Sequence, residues 1–128
     1  MPLHLPIFLL ATLTLIAGCN KPTTTTSGKL TGFPSIGSAE DAISLATVKF
    51  VKVMPGEFRT SRPDGAFTVN FKNDNHDALL QTNTAKSADG TYEIGWTFTV
   101  SGSDPKHNAK VANLLTKSIA EVDSNRPQ

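Results

Sequence analysis

The sequence predicts an α+β fold: a small two-layer sandwich in which an antiparallel meander of three or four strands carries an N-terminal and a C-terminal helix packed on one face. Three observations lead to it. Apolar residues recur at helical spacing near each end of residues 38–124. Between those ends, segments alternate apolar and polar with period two. Short turns rich in Pro, Asp and Gly join the segments, which favours adjacent antiparallel strands over crossovers. Two amphipathic helices each have a stripe to bury, and one sheet serves both.

The first helix is expected to start at Ser38, which can cap free amides, with Glu40 and Asp41 placed well for the helix dipole. Ala42, Ile43, Ala46, Phe50 and Val53 then share one face, which Leu45 and Val48 widen. Pro55 and Gly56 stop it, because Pro disfavours the α region at Met54. The run TVKFVKVM is rich in β-branched residues, so its last turns have an extended alternative. Residues 57–62 read as a short strand, and RPDGA makes a turn. In AFTVNFK, Phe67, Val69 and Phe71 lie on one face and Thr68, Asn70 and Lys72 on the other. NDNHD is a polar loop, residues 78–86 a weakly patterned strand, and SADG a tight turn. The clearest strand is TYEIGWTFTVS, with Tyr92, Ile94, Trp96, Phe98 and Val100 on the core side and Glu93, Thr97 and Thr99 away from it. Gly95 within it marks a bulge or a close backbone contact. Asp104 and Pro105 open the last helix, whose stripe is Val111, Leu114, Leu115, Ser118, Ile119 and Val122.

A chain of 128 residues argues for one domain. Its net charge is +1, with 12 basic and 11 acidic residues interspersed. There is no basic block to hold a phosphate backbone, so nucleic acid is not an expected partner. A single cysteine rules out an internal disulfide framework.

That cysteine, Cys19, ends an apolar run. Residues 3–17 read LHLPIFLLATLTLIA, interrupted by His4, Pro6 and two threonines. The run falls short of the roughly 20 apolar residues of a membrane-spanning helix and matches the core of a secretory signal peptide. No Lys or Arg precedes it. The sequence Ile16, Ala17, Gly18, Cys19 resembles the lipobox of bacterial lipoproteins, a resemblance confined to about the first twenty residues. It implies recognition through Ile16, Ala17 and Gly18, a diacylglyceryl group on the Cys19 thiol, cleavage before Cys19 by signal peptidase II, and acylation of the new amine. These covalent groups are the only cofactor-like addition expected. Two or three acyl chains, each buried CH₂ contributing about 0.8 kcal/mol, hold a protein on a membrane essentially permanently. In that family Asp after the cysteine retains the protein in the inner membrane; Asn20 therefore implies the outer membrane, facing the periplasm.

The chain divides accordingly. Residues 1–18 are the signal peptide and 19–37 an acylated Cys with a flexible Thr/Ser/Pro tether. Residues 38–124 are the α+β domain and 125–128 a polar tail. The tether is expected because NKPTTTTSGKLTGFPSIG shows neither apolar periodicity.

Catalytic signatures are scarce. Asp74, His76 and Asp77 are weak metal-ligand candidates. The alternating Asn73, Asn75 and Asp77 resemble the start of a calcium loop, but Ala78 stands where that loop needs Gly and Thr84 where it needs Glu. His107 reads as a surface residue, and Tyr92 and Trp96 as core. There is no G-x-S-x-G, Gly-rich phosphate loop or H-E-x-x-H. The polar sheet face of Thr68, Asn70, Lys72, Glu93, Thr97 and Thr99 stays wet unless something binds it. The expected function is therefore non-enzymatic: a membrane-anchored lipoprotein that binds another envelope protein, as an assembly component or as an inhibitor or immunity factor. The alternatives are a small-ligand module between sheet and helices, and an enzyme acting on envelope polymer through Asp74, His76 or Asp77.

Overall fold

A computed structural model of the chain describes residues 12–14 and 21–126. In chain order the elements are β1 (Thr12–Thr14), β2 (Thr23–Phe33), α1 (Ile36–Val53), β3 (Glu57–Ser61), β4 (Thr68–Lys72), β5 (Asp77–Lys86), β6 (Tyr92–Ser101) and α2 (Pro105–Ser124). They build one antiparallel sheet in the order β1-β2-β6-β5-β4-β3. β3 to β6 form the anticipated four-stranded meander. The two helices touch each other and pack on the same sheet face, where their stripes and the inward residues of the strands form a single apolar cluster. The α+β two-layer architecture follows the sequence pattern.

β2 is the main departure. The segment expected to be a tether pairs along most of its length with β6, from Thr23 opposite Ser101 to Leu30 opposite Ile94. Its composition is polar, but Thr is β-branched and suits a pleated strand. Thr24, Thr26, Leu30 and Phe33 are buried, and β6 takes up the backbone hydrogen bonds that a coil would leave to water. The register shifts between Leu30 and Phe33, where Gly32 adopts φ 83°. Gly28 faces Trp96 closely: a Cβ there would lie 2.8 Å from the indole. The domain therefore begins at about Thr23 rather than Ser38.

The N-terminal segment otherwise lies outside the described residues, Ile16, Ala17, Gly18 and Cys19 included. Three residues of the expected signal peptide, Thr12–Thr14, form the short strand β1 beside the start of β2.

α1 starts earlier than anticipated. Its N-cap is Ser35, whose Oγ accepts from the Ser38 N–H at 3.1 Å, while Ser38 Oγ accepts from the Ser35 N–H at 3.2 Å. Ser38 is thus the third residue of a reciprocal capping box and not the cap. The β-branched end stays helical to Val53, and Met54 closes it by donating to the Phe50 carbonyl at 2.8 Å. Ala39, Ala42, Ile43, Ala46, Thr47 and Phe50 are buried. Leu45, Val48 and Val53, which the spacing assigned to the buried side, are exposed. The helix is covered on one side only, by the sheet and α2, and Phe50 reaches Phe71 and Phe98 of the sheet from that side.

At the other end Asp104 caps α2 by accepting from the Lys106 N–H at 3.0 Å, with Pro105 in the first turn. Asn108, Val111, Ala112, Leu115, Ser118, Ile119 and Val122 are buried. The expected polar tail is docked at its start: Arg126 stacks 3.9 Å from the centroid of Phe33 and donates to the Thr31 carbonyl at 2.8 Å. Guanidinium stacking on an aromatic face explains why a charged residue settles there.

In the core, Phe50, Phe71 and Phe98 meet edge to face, with centroids 5.0 to 5.8 Å apart. Trp96, Phe98, Leu115 and Ile119 belong to the same buried cluster. The cavity beneath the end of α1, bordered by Phe50, Phe71 and His76, measures about 10 Å³, room for one water.

Candidate functional site

The strands turn their second face away from the helices. Register aligns its residues in rows. Lys72, Asp77, Ser101 and Thr23 form one row, Asn70, Leu79, Thr99 and Thr25 the next, and Thr68, Gln81, Thr97 and Ser27 a third. Polar side chains, five of these twelve being threonine, suit this position because each can hydrogen-bond to a neighbour or to water. Thr25 and Thr99 share a hydroxyl contact of 3.3 Å, and Lys29 reaches Glu93 at 3.1 Å. Asn70 and Lys72 are exposed; Glu93, Thr97 and Thr99 are half-buried. Thr68 holds its place on the face but is buried, its hydroxyl turned back to the Ala66 carbonyl at 3.4 Å.

β5 lies between the two expected halves of this face and supplies residues that the sequence reading left out: Leu79, Gln81 and Asn83. The weak patterning of β5 hid them, because Leu79 is apolar on the polar side. Leu79 sits half-buried in an open hollow with Asn70, Lys72 and Thr99, next to a second hollow lined by Glu57, Arg59 and Phe58. Gly95 makes the close contact anticipated for it: a Cβ there would lie 2.7 Å from Asn83 Oδ1 on β5.

The densest polar cluster resolves differently. In the loop between β4 and β5, Asn73 Oδ1 accepts from the Asn75 and His76 N–H groups at 2.8 and 3.0 Å, so the asparagine shapes the turn. His76 is buried at 4% exposure. Asp74 is exposed, and Asp77 starts β5 on the open face. The three candidates therefore do not converge. Among the described residues no group of three or more His, Cys, Asp or Glu side chains could hold a metal ion.

His76 instead meets His107 of α2, with Nδ1 3.1 Å from Nε2 and the rings tilted by 47°. His107 is thus half-buried at an internal joint and not on the open surface. Burial, then the neighbouring His107, hold the His76 pKa below its ordinary value, with Asp77 opposing. Asn108 completes the joint by donating to the Gly102 and Pro22 carbonyls at 3.0 and 3.2 Å. Nothing in the spacing of His76 and His107 along the chain could announce this pairing; only the placement of α2 brings them together.

No protein-family model matches the chain, and no curated protein matches it. Among solved structures it is similar to the crystal structure of Ara h 8.0201, at 12% identity and a TM-score of 0.33, over 80% of this chain and 99% of that one. At that TM-score no feature of that protein is carried over.

Proposed function

We propose that this chain is a lipid-anchored protein of the bacterial cell envelope whose domain binds another protein, without catalysis, on the open face of its sheet. The observation that carries this reading is the contrast between the two sheet faces. Helices cover one; among the described residues no helix packs on the other, where Leu79 lies within a rim of Asn70, Lys72 and Thr99. An apolar centre inside a polar rim is the usual anatomy of a protein-binding patch. The anchor rests on Cys19 and the apolar run before it, with Asn20 favouring the outer membrane and the periplasmic side. Asp74, His76 and Asp77 occupy three different surroundings, which favours binding over an enzyme that would act through them. The helix-covered interior is filled by aromatic and aliphatic side chains, a poorer seat for a small ligand than the open face.

Two measurements test the two halves separately. Metabolic labelling with a fatty acid should mark the wild-type chain, while Cys19→Ser should carry no label and accumulate as uncut precursor. An unlabelled wild-type chain would end the anchor reading. A photo-crosslinking residue at Leu79 or Thr97 should yield a protein adduct in intact cells, and one at exposed Lys117 on α2 should not. Adducts from Lys117 alone would move the binding surface to the helices.

A further inference from the structure

β3 is the last strand of the sheet, and all five of its residues are exposed. An edge strand leaves the N–H and C=O groups of alternate residues without a ladder partner. Phe58 extends from it on the helix side, tilted against Phe71 with centroids 6.3 Å apart, and remains 44% exposed. The free edge thus carries an exposed aromatic side chain, Phe58.

On the opposite side of β3 stand Glu57 and Arg59, two positions apart, with no ion pair among the described residues. Their order along the strand is self-complementary. When two β3 strands run antiparallel with Phe58 opposite Phe58 of a second copy, Glu57 faces Arg59 of that copy and Arg59 faces its Glu57. Two charge pairs and one aromatic pair then form at once. Moving the centre to Arg59 sets two guanidinium groups against each other instead, which is unfavourable. We propose that the free edge of β3 is a self-pairing surface, on which a second copy of this chain adds its own β3 antiparallel about a two-fold axis through Phe58. The contact is isologous and closes on itself, giving a dimer with one continuous sheet and not a fibre.

The test uses the full chain carrying Cys19→Ser, so that an introduced thiol stands alone. In the proposed register the Cβ atoms at position 58 lie about 5 Å apart, within disulfide reach. Those at position 60 are four residues out of register, about 13 Å apart along the strand. Phe58→Cys should therefore oxidise to a covalent dimer and Thr60→Cys should not. In sedimentation equilibrium, Glu57→Arg and Arg59→Glu should each weaken dimerisation about tenfold or more, since each replaces two attractions by two repulsions. The double exchange Glu57→Arg/Arg59→Glu should restore it, a rescue that unfolding of the single variants could not produce. Three results would each overturn the proposal: crosslinking at Thr60 matching that at Phe58, no rescue by the double exchange, or a chain that stays monomeric at about 1 mM.

Discussion

At the scale of single residues, His76 makes the domain sensitive to acid. Its ring is buried, and its Nδ1 lies 3.1 Å from His107 Nε2, a hydrogen bond whose direction the tautomers set. The pair accommodates two neutral rings or a single positive charge; two protonated rings would face each other donor to donor. Because the folded pKa lies below the ordinary value, the unfolded chain binds the proton first as pH falls. The stability due to neutral His76 is therefore fully present above about pH 6.5 and is lost as pH falls from there through the lower folded value. The melting temperature should decline between pH 7.5 and 5, and His76→Gln should flatten that decline. An equally steep decline in the variant would assign the effect to other groups. Nothing in the sequence marks His76 as buried: it stands among Asn73, Asp74, Asn75 and Asp77, all surface-compatible, and it meets His107 only where α2 passes the loop.

At the scale of elements, period two and period 3.6 located β4, β6 and α2, while in α1 the same period drew Leu45, Val48 and Val53 to the buried side, where they are exposed. β4 and β6 alternate strictly, and α2 carries an unbroken stripe; all three formed where their patterns placed them. β2 escaped because its inward positions Thr24 and Thr26 are threonines, which hydropathy counts as polar, and because Gly28 interrupts the alternation. The structure explains that glycine. Trp96 lies against it, so Gly28→Ala sets a methyl group 2.8 Å from a rigid ring. Overpacking of this kind typically costs about 1–3 kcal/mol. Chemical denaturation should show a loss of that size for Gly28→Ala and a smaller change for Gly37→Ala, whose Cβ meets no atom closer than 3.8 Å. Equal stabilities for the two variants would mean that the strand relaxes away from the indole.

For the whole molecule, the two-layer reading makes the two sheet faces unequal in energy. Leu115 is fully buried and Trp96 nearly so, and both belong to the one cluster that joins helices to sheet. Truncating such residues to Ala costs about 2–5 kcal/mol, comparable with the roughly 5 kcal/mol that holds a small domain together. Leu115→Ala and Trp96→Ala should leave the domain partly or wholly unfolded by circular dichroism, while Thr97→Ala on the open face should shift the melting temperature little. A fold that tolerates Trp96→Ala but not Thr97→Ala would reverse the two faces. The core was legible in advance because burial writes itself into hydropathy. The open face was legible only in part: β4 and β6 declared their polar sides, whereas Leu79 between them carried no signal that distinguishes it from core.

The pairing of β2 with β6 also sets an order in time. β2 is the first long strand to be synthesised, yet the long strand it pairs with is the last: Thr23 waits for Ser101, and Leu30 for Ile94. Arg126 then closes over Phe33 and Thr31 only after α2 has been made. Contacts so distant along the chain must overcome a large loop-closure entropy before they return anything, and they slow folding. In a nascent chain of this topology the β2–β6 pairing cannot form until nearly all of it has emerged. Under the export proposed above, that delay would keep the chain unpaired and threadable during translocation.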